Sequence, residues 1–370
     1  MHTPAIIVDL QKAKRNIRRL QDSVSSAGRK LRVHVKGHRT TALATLQIEA
    51  GASGIMAQTT PEAEQYLRTG IADIVLSRPV LNPWRLHPIV QFIAQHAGRT
   101  NTVADPAGTK PPARIVVTVS SAESVRGLGA LATDAGVVVP VRIDVKFDDD
   151  RGIAPERAGE LARLIERTPG VSLEGVSGYR SYASLSALRE AARPAGSVAE
   201  VLTELAARVR VDGIECPTVS VSGTANAAAG LEVAGVTEIC VGAGPLYDAG
   251  YALAGLCTLD DVAVTLRATV LESAGRAVRT DADELLDGAA QEWDPGTVAV
   301  LADGTPLADA VLIPGTVVEL LPAHICPLAM VDVPRTVSDG GRLVGRWHPV
   351  LLPEKTNHTE ISSDLEKDPE

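Results

Sequence analysis

Leu31-Arg-Val-His-Val-Lys36 is a short β-rich run that ends on a lysine. Similar runs recur over the first 250 residues, and the stretches between them, such as Ala154–Arg167 and Ser197–Arg210, carry apolar residues at helical spacing. The eight runs are Leu31–Val35, Ser53–Ala57, Asp73–Ser77, Arg114–Val119, Val141–Val145, Leu173–Gly178, Thr218–Ser222 and Glu238–Val241. Strands that alternate with helices pair in parallel, so eight such units predict an α/β fold, a (β/α)8 barrel.

The pattern changes in the last third of the chain. Runs such as Val262–Leu271, Thr297–Leu301 and Thr316–Leu321 are rich in β-branched residues and are separated by turns that carry Gly, Asp or Pro. We therefore predict a barrel domain, a smaller β domain and a polar, disordered tail, over residues 1–256, 257–352 and 353–370 respectively. The strand-like opening, Thr3–Leu10, is a candidate partner for the β domain. We expect a surface loop over Gly98–Pro112 and a solvated turn over Asp148–Asp150.

Composition excludes several classes of function. The net charge of -9 argues against a nucleic-acid surface, because phosphate binding needs clustered Lys and Arg. No apolar run approaches the roughly 20 residues that span a bilayer, and the N-terminus lacks the features of a signal peptide. The four cysteines form no CxxC pair, which is typical of reduced thiols. These features predict a cytoplasmic protein with a small-molecule substrate.

Lys36 is the first candidate for chemistry. Function in a (β/α)8 barrel is located at the C-terminal ends of the strands, and Lys36 follows its run directly, flanked by His34 and His38. A partly desolvated lysine has a lowered pKa and can form a Schiff base. The pattern alone favours a solvated loop lysine over a Schiff-base lysine.

Two loops of small residues follow the seventh and eighth runs. Ser222, Gly223 and Thr224 lie in the first loop, and Gly242 and Ala243 lie in the second. Backbone N–H groups and hydroxyls in such loops bind phosphate. Phosphate sites in this barrel usually follow strands seven and eight, so the two loops together predict one.

His324-Ile-Cys326 is a candidate metal motif. In an extended segment, residues two apart point to the same side. An imidazole and a thiolate placed in this way suit zinc. The alternative is a core cysteine beside an incidental histidine.

These motifs resemble the D-serine dehydratase and D-threonine aldolase group, relatives of alanine racemase with the fold-type III pyridoxal-phosphate (PLP) architecture. His34-Val-Lys-Gly-His38 is similar to the family's HVKTH motif, whose lysine binds the cofactor. Pro322-Ala-His-Ile-Cys-Pro327 is similar to the PNHxC motif that ligates zinc in D-serine dehydratases. Further matches are Thr3–Leu10, Gln47–Gly51, Glu62–Glu64, Glu238-Ile239, Gly242 and Asp248. The resemblance implies that Lys36 carries PLP and that His324 and Cys326 ligate zinc.

The chain departs from the family pattern at several positions. Gly37 and Arg39 stand where the family has Thr and Lys, and Tyr182 in Tyr179-Arg-Ser-Tyr182 replaces the histidine of Y-x-G-H. Gly244 replaces a loop tyrosine, and Ser222–Asn226 replaces a GSTPT phosphate motif. No acidic-histidine pair is evident before Pro314. These positions belong to cofactor-edge and substrate contacts, so the departures leave the native substrate open.

The resemblance implies a PLP-dependent, zinc-assisted lyase. Lys36 would take the Cα proton of a D-3-hydroxy amino acid, and zinc would assist loss of the β-hydroxyl as a Lewis acid. The products would be a 2-oxo acid and ammonia. Tyr179 would lie near the cofactor ring, and Arg151 would approach the cofactor or the substrate carboxylate, unless it is a surface charge. The family also implies a homodimer whose active site lies between the barrel of one subunit and the β domain of the other.

Three other functions are weighed against this one. Retro-aldol cleavage to glycine and an aldehyde is the closest alternative, although the aldolase branch tends to carry an acidic residue where this chain has Cys326. A racemase ranks lower, because such enzymes supply a β-domain tyrosine and no Tyr follows Tyr251. A non-catalytic PLP carrier ranks lower too, because carriers resemble the barrel alone.

Overall fold

The structure is a computed structural model that describes residues 2–78, 83–96, 113–147, 151–182, 184–274, 277–283, 300–305 and 309–350. The strands are β1 (Ala5–Asp9), β2 (Lys30–His34), β3 (Gly54–Ala57), β4 (Asp73–Leu76), β5 (Arg114–Val119), β6 (Val139–Val145), β7 (Val171–Tyr179), β8 (Thr218–Ser222), β9 (Glu238–Val241), β10 (Val264–Ala274), β11 (Ala277–Thr280), β12 (Val300–Leu301), β13 (Val317–Leu321), β14 (Arg335–Asp339) and β15 (Arg342–Trp347). The helices are α1 (Leu10–Ser26), α2 (Thr41–Glu49), α3 (Thr60–Arg68), α4 (Pro83–His96), α5 (Ala122–Asp134), α6 (Pro155–Glu166), α7 (Leu185–Ala191), α8 (Val198–Val211), α9 (Asn226–Glu232), α10 (Ala249–Leu253) and α11 (Ile325–Ala329).

Eight parallel strands, β2 to β9 in chain order, close into a barrel. The barrel closes where β9 pairs with β2, with Ile239 opposite Leu31. The prediction of a (β/α)8 barrel is confirmed, and each predicted run matches its strand within two residues at either end. The runs are readable because strands covered on both faces carry near-continuous apolar residues.

A separate sheet follows the order β12-β13-β10-β1-β14-β15, and β11 pairs with β10. The first strand of the chain lies in its middle: Ile6 pairs with Leu266 of β10, and Val8 pairs with Val337 of β14. The predicted run Thr297–Leu301 is described only at Val300–Leu301. Strands β14 and β15 were not predicted, although Asp339-Gly340-Gly341 between them is a turn signal.

A buried ion network lies inside the barrel. Arg142 on β6 is fully buried, and it donates to Glu174 on β7 at 2.8 and 3.0 Å and to Glu238 on β9 at 2.7 Å. Arg32 on β2 donates to Glu238 at 2.8 Å. Burial raises the pKa of Glu238, but the charges of Arg142 and Arg32 outweigh it and hold the pKa at about 2. Two more charges complete the network, Asp73 and Arg114.

Several predicted segments lie outside the described residues, namely Gly98–Pro112, Asp148–Asp150 and the tail over residues 353–370. Of the four free cysteines, Cys216 and Cys240 are buried, whereas Cys257 and Cys326 are half-buried. Within the described ranges, no helix has both the length and the apolar character that crossing a membrane requires.

Candidate active site

Lys36 lies at the mouth of the barrel, in a 3-10 turn (Val35–Gly37) that directly follows β2. Its side chain is half-buried, and Nζ lies 5.1 Å from the centroid of the Tyr179 ring. Tyr179 is the last residue of β7, which is why its ring reaches the same end of the barrel. The structure thus brings together the two residues predicted to contact the cofactor ring.

The two histidines that flank Lys36 have different surroundings. Burial lowers the pKa of His34 well below its ordinary value, and the charge of Lys36 lowers it further, so the ring is neutral. Its Nδ1 atom is buried with no hydrogen-bond partner among the described residues. His34 therefore has a polar atom available to a ligand at the barrel mouth.

His38 lies between the barrel and the β domain. Burial lowers its pKa to about 3, and Nδ1 accepts a hydrogen bond from the Thr40 N–H at 3.2 Å. Its ring lines a small cavity together with Leu43, Ile325 and Leu328. This placement favours a packing role for His38, whereas the sequence predicted a cofactor contact.

The two predicted phosphate loops are in direct contact. The Ala243 N–H donates to Thr224 Oγ1 at 3.1 Å, and the Gly223 N–H donates to the Cys240 carbonyl at 2.8 Å. Gly223 has a φ of +104°, and a Cβ there would lie 2.9 Å from the Tyr179 ring. Ser222 is buried at the end of β8, and Gly242 follows β9. The loops therefore form one small-residue surface beside Tyr179.

Gly37 is a departure from the family pattern that the structure explains. A Cβ at this position would lie 2.5 Å from both the carbonyl carbon and the carbonyl oxygen of Gly242. Real Cβ atoms do not make such contacts with backbone. The turn that carries Lys36 therefore packs directly on the second small-residue loop, and this close approach excludes the threonine of the family motif.

His324 and Cys326 do not lie in an extended run, and that expectation is wrong. His324 is extended, but helix α11 begins at Ile325 and includes Cys326. Pro327 is compatible with the first turn of a helix, because its missing N–H would have no intrahelical partner there. The expectation that both side chains point to the same side, which holds for an extended chain, therefore does not apply. The two residues remain two positions apart, and both are half-buried.

Helix α11 packs against the turn that carries Lys36. Burial lowers the pKa of His324 to about 4, and the nearby charge of Lys36 contributes. A neutral imidazole is the form that binds metals. Within the described part of the chain, no group of three or more His, Cys, Asp or Glu residues is placed to hold a metal ion. The two candidate donors at this helix start are the imidazole of His324 and the thiol of Cys326.

A model of the alanine racemase N-terminal domain matches residues 8–244. The chain belongs to this family. Its members are PLP-dependent proteins of fold type III, and the barrel with a separate sheet is their architecture. The family expected from the sequence motifs is confirmed.

Two curated relatives and one solved structure are informative. The chain is 31% identical over 281 residues to a D-threo-3-hydroxyaspartate dehydratase of Delftia sp. (strain HT23), covering 73% of this chain and 68% of that protein. It is 27% identical over 259 residues to a D-threonine aldolase of Arthrobacter sp., covering 67% of this chain and 62% of that protein. A cysteine-to-alanine variant of a D-threo-3-hydroxyaspartate dehydratase, solved in the metal-free form, has the same fold: the TM-score is 0.75 at 24% identity, over 94% of this chain and 97% of that one. Both curated relatives are lyases by name.

A line of tyrosine rings crosses the site of this alanine racemase-family protein. The ring centroids of Tyr179 and Tyr182 are 6.2 Å apart, as are those of Tyr182 and Tyr251, whose hydroxyl groups are also in contact. Burial raises the pKa of Tyr182 well above its ordinary value, with contributions from nearby Tyr179 and Cys326. Tyr182, which replaces the family's histidine, therefore lies between the lysine side of the site and the cysteine side.

Two residues complete the surroundings of the site. Asp248 is buried beneath α11, and burial raises its pKa to about 7 although three backbone N–H groups favour the charged form. The sequence matched Asp248 to a family motif without giving it a role. Arg151 is exposed, and its charge contributes to the low pKa of His34. Its predicted contact with the cofactor or the substrate stays a prediction.

Proposed function

We propose that this chain is a PLP-dependent, zinc-assisted lyase that eliminates the β-hydroxyl of a D-3-hydroxy amino acid to give a 2-oxo acid and ammonia. Family membership and the two lyase relatives support the reaction class. The single observation that carries the proposal is the packing of α11, which carries the Cys326 thiol and directly follows the neutral imidazole of His324, on the turn of Lys36.

The residues at the barrel mouth fit PLP. Lys36 offers a half-buried amine, Tyr179 offers an aromatic face beside it, and the loops at Ser222–Thr224 and Gly242–Ala243 form a small-residue surface for the phosphate. When bound, PLP supplies an electron sink for negative charge at the substrate Cα. The close contacts at Gly37 and Gly223 hold the turn of Lys36, the Tyr179 ring and the two small-residue loops against one another.

Lys36 is the proposed base. Its amine holds the cofactor before the substrate arrives, and it then takes the Cα proton. His34, which is neutral, and the Tyr179 ring flank the amine and restrict where it points. Arg151, whose charge contributes to the low pKa of His34, would approach the cofactor or the substrate carboxylate.

His324 and Cys326 would hold the zinc. An imidazole nitrogen and a thiolate are ligands that zinc prefers over hard oxygen-binding cations. Zinc supplies Lewis acidity to the leaving hydroxyl group. Two protein ligands leave coordination positions for water and substrate, as catalytic zinc sites require. We further propose a two-fold homodimer, which a mass measurement on the active protein tests.

The test is a substrate panel. Purified protein loaded with PLP and zinc is incubated with the D and L forms of serine, threonine and 3-hydroxyaspartate. We expect a 2-oxo acid and ammonia from a D substrate, no product with Lys36→Ala, and strongly reduced elimination with Cys326→Ala. Elimination at the full rate by metal-free protein contradicts the Lewis-acid role, and turnover of L substrates alone contradicts the substrate class.

Aldol cleavage is the second candidate. The similarity to a D-threonine aldolase favours it, because that match covers 67% of the chain. The same panel separates the two reactions, since an aldolase releases glycine and an aldehyde from D-threonine. Cys326 favours elimination, because the aldolase branch of the family tends to carry an acidic residue where this chain has a cysteine.

A further inference from the structure

The loop after the last barrel strand is joined to the segment that leads into α11. The Ala249 N–H donates to the Pro322 carbonyl at 2.9 Å, and the Gly250 N–H donates to the Ala323 carbonyl at 3.3 Å. These bonds place residues from the barrel and from the β domain side by side. The candidate metal motif, residues 324–326, begins directly after Ala323.

One carboxylate lies at the centre of this junction. Oδ1 of Asp248 accepts the N–H of Tyr251 at 3.0 Å and so caps α10. Oδ2 of the same group accepts the N–H of Ile325, also at 3.0 Å. Ile325 is the first residue of α11 and lies between His324 and Cys326. Asp248 therefore fixes the backbone to which both metal donors are attached.

A second path leads from Asp248 to the same cysteine. The carboxylate holds the start of α10, and Tyr251 on that helix contacts the Tyr182 hydroxyl with its own. Tyr182 in turn lies close enough to Cys326 for the two to affect each other's charge. The backbone route through Ile325 reaches Cys326 directly, and the tyrosine route reaches the surroundings of Cys326.

Stability alone does not account for a buried carboxylate here. Asp248 is only 2% exposed, and such surroundings disfavour a charged carboxylate. A serine side chain would cap the helix equally well without that cost. A group that accepts two N–H bonds from different domains is needed only where the two segments must keep a fixed relative position.

We propose that Asp248 is a positioning residue that sets His324 and Cys326 at the barrel mouth in the geometry that binds a divalent metal. The proposal rests on the metal role given under the proposed function. It assigns Asp248 no contact with substrate, cofactor or metal. Metal affinity, rather than the covalent attachment of PLP to Lys36, should therefore respond to its removal.

The test compares Asp248→Ala with Asp9→Ala. Asp9 caps α1 in the same way, since its side chain accepts the Lys12 N–H at 3.0 Å, and it is a matched control for the loss of an aspartate cap. Zinc affinity is measured by competition with a chromophoric chelator. Cobalt substitution gives a thiolate charge-transfer band that reports the Cys326 ligand. Borohydride-fixed PLP on Lys36 confirms that each variant is folded.

We expect Asp248→Ala to weaken zinc binding about ten- to hundredfold, the usual effect of removing a group that orients metal ligands. Asp9→Ala should bind zinc like the unaltered protein. Asp248→Asn, which retains one acceptor oxygen, should fall between them, and it decides the matter if the alanine variant does not fold. Equal zinc affinity in all variants overturns the positioning role alone. Failure of the unaltered protein to bind zinc overturns the metal role as well. If neither Asp248 variant folds, Asp248 is a folding residue and the positioning role is rejected.

Discussion

The amine of Lys36 and the ring of Tyr179 face each other across the barrel mouth, with 5.1 Å between Nζ and the ring centroid. They come from strands on different sides of the barrel, β2 and β7. An aromatic face beside a cationic nitrogen stabilises it by about 0.5 to 2 kcal/mol, depending on desolvation. We therefore expect a cofactor held by Lys36 to lie beside the Tyr179 ring.

Replacing Lys36 tests that placement directly. Lys36→Ala should abolish the borohydride-stable PLP adduct, because no other amine is placed beside Tyr179 among the described residues. Lys30→Ala is the matched control, since Lys30 is exposed and begins the same strand at the opposite end of the barrel. Peptide mapping by mass spectrometry gives the attachment site, and an adduct on any other lysine refutes the assignment.

The Tyr179 ring should contribute to cofactor binding through its face rather than its hydroxyl. Tyr179→Ala should weaken PLP affinity roughly tenfold, which lies within the range for a cation beside an aromatic ring. Tyr179→Phe should remain close to the unaltered protein, because it keeps the face. Absorbance titration with PLP measures both, and equal losses in the two variants would assign the effect to the hydroxyl.

Gly37 should tolerate no side chain. Gly37→Ala introduces a Cβ at 2.5 Å from the Gly242 backbone, so the turn of Lys36 or the adjacent loop must move. We expect a loss of stability of about 1 to 3 kcal/mol, as in other overpacked sites, together with weaker PLP uptake. Gly159→Ala on α6 is the control, because a Cβ there meets nothing within 4 Å. Denaturant midpoints compare the two, and an unchanged Gly37→Ala protein would contradict the close approach.

The ion network inside the barrel should respond sharply to the loss of one member. Arg142→Met leaves the carboxylates of Glu174 and Glu238 without their principal partner, which should destabilise the protein by about 3 to 5 kcal/mol. Arg68→Met breaks an exposed pair with Glu64 and should change stability by less than about 1 kcal/mol. Urea unfolding curves measure both. Similar small effects would mean that water reaches the network.

His38 should make the protein sensitive to acid. Its pKa is lowered from 6.5 to about 3 in the folded state, so below pH 6.5 the unfolded chain binds a proton that the native state does not. Its contribution to stability is therefore complete above pH 6.5 and declines by about 1.4 kcal/mol per pH unit as the pH falls towards 3. Thermal midpoints across this range should fall less steeply for His38→Asn. His87→Asn, on an exposed part of α4, should follow the unaltered protein, and parallel profiles for all three would show that His38 is not the group responsible.

The barrel could be predicted from the sequence because its strands are covered on both faces and therefore read as apolar runs between helical stretches. The candidacy of Lys36 followed from the same pattern, because it directly follows a run, whereas Tyr179 was identified through the family resemblance. Short strands with mixed polarity gave no comparable signal, and β14 was missed for that reason. The ion network was missed too, because Arg142 and Glu238 inside strands look like solvent-facing positions until the barrel is closed.

Contacts between distant segments were beyond the sequence pattern. Asp248 meets Ile325 only because the loop after β9 lies on the segment before α11. The helical start at Ile325 depends on that capping bond, so local spacing favoured an extended run instead. The sequence shows that Tyr182 replaces the family's histidine. Its contact with Tyr251 could not be predicted, because it requires two distant segments to converge.

Because β1 lies between β10 and β14, it is synthesised long before the two strands with which it pairs. Val8 pairs with Val264 and with Val337, and at roughly 5 to 20 residues per second these partners emerge tens of seconds apart from it. The barrel strands are complete before either arrives, so the lysine pocket can form on the nascent chain. Ile6 and Val8, fully covered in the finished protein, stay exposed for that interval and are available to chaperones. His324 and Cys326 follow the last barrel strand by more than 80 residues, so the proposed metal donors reach the barrel only after the lysine pocket is complete.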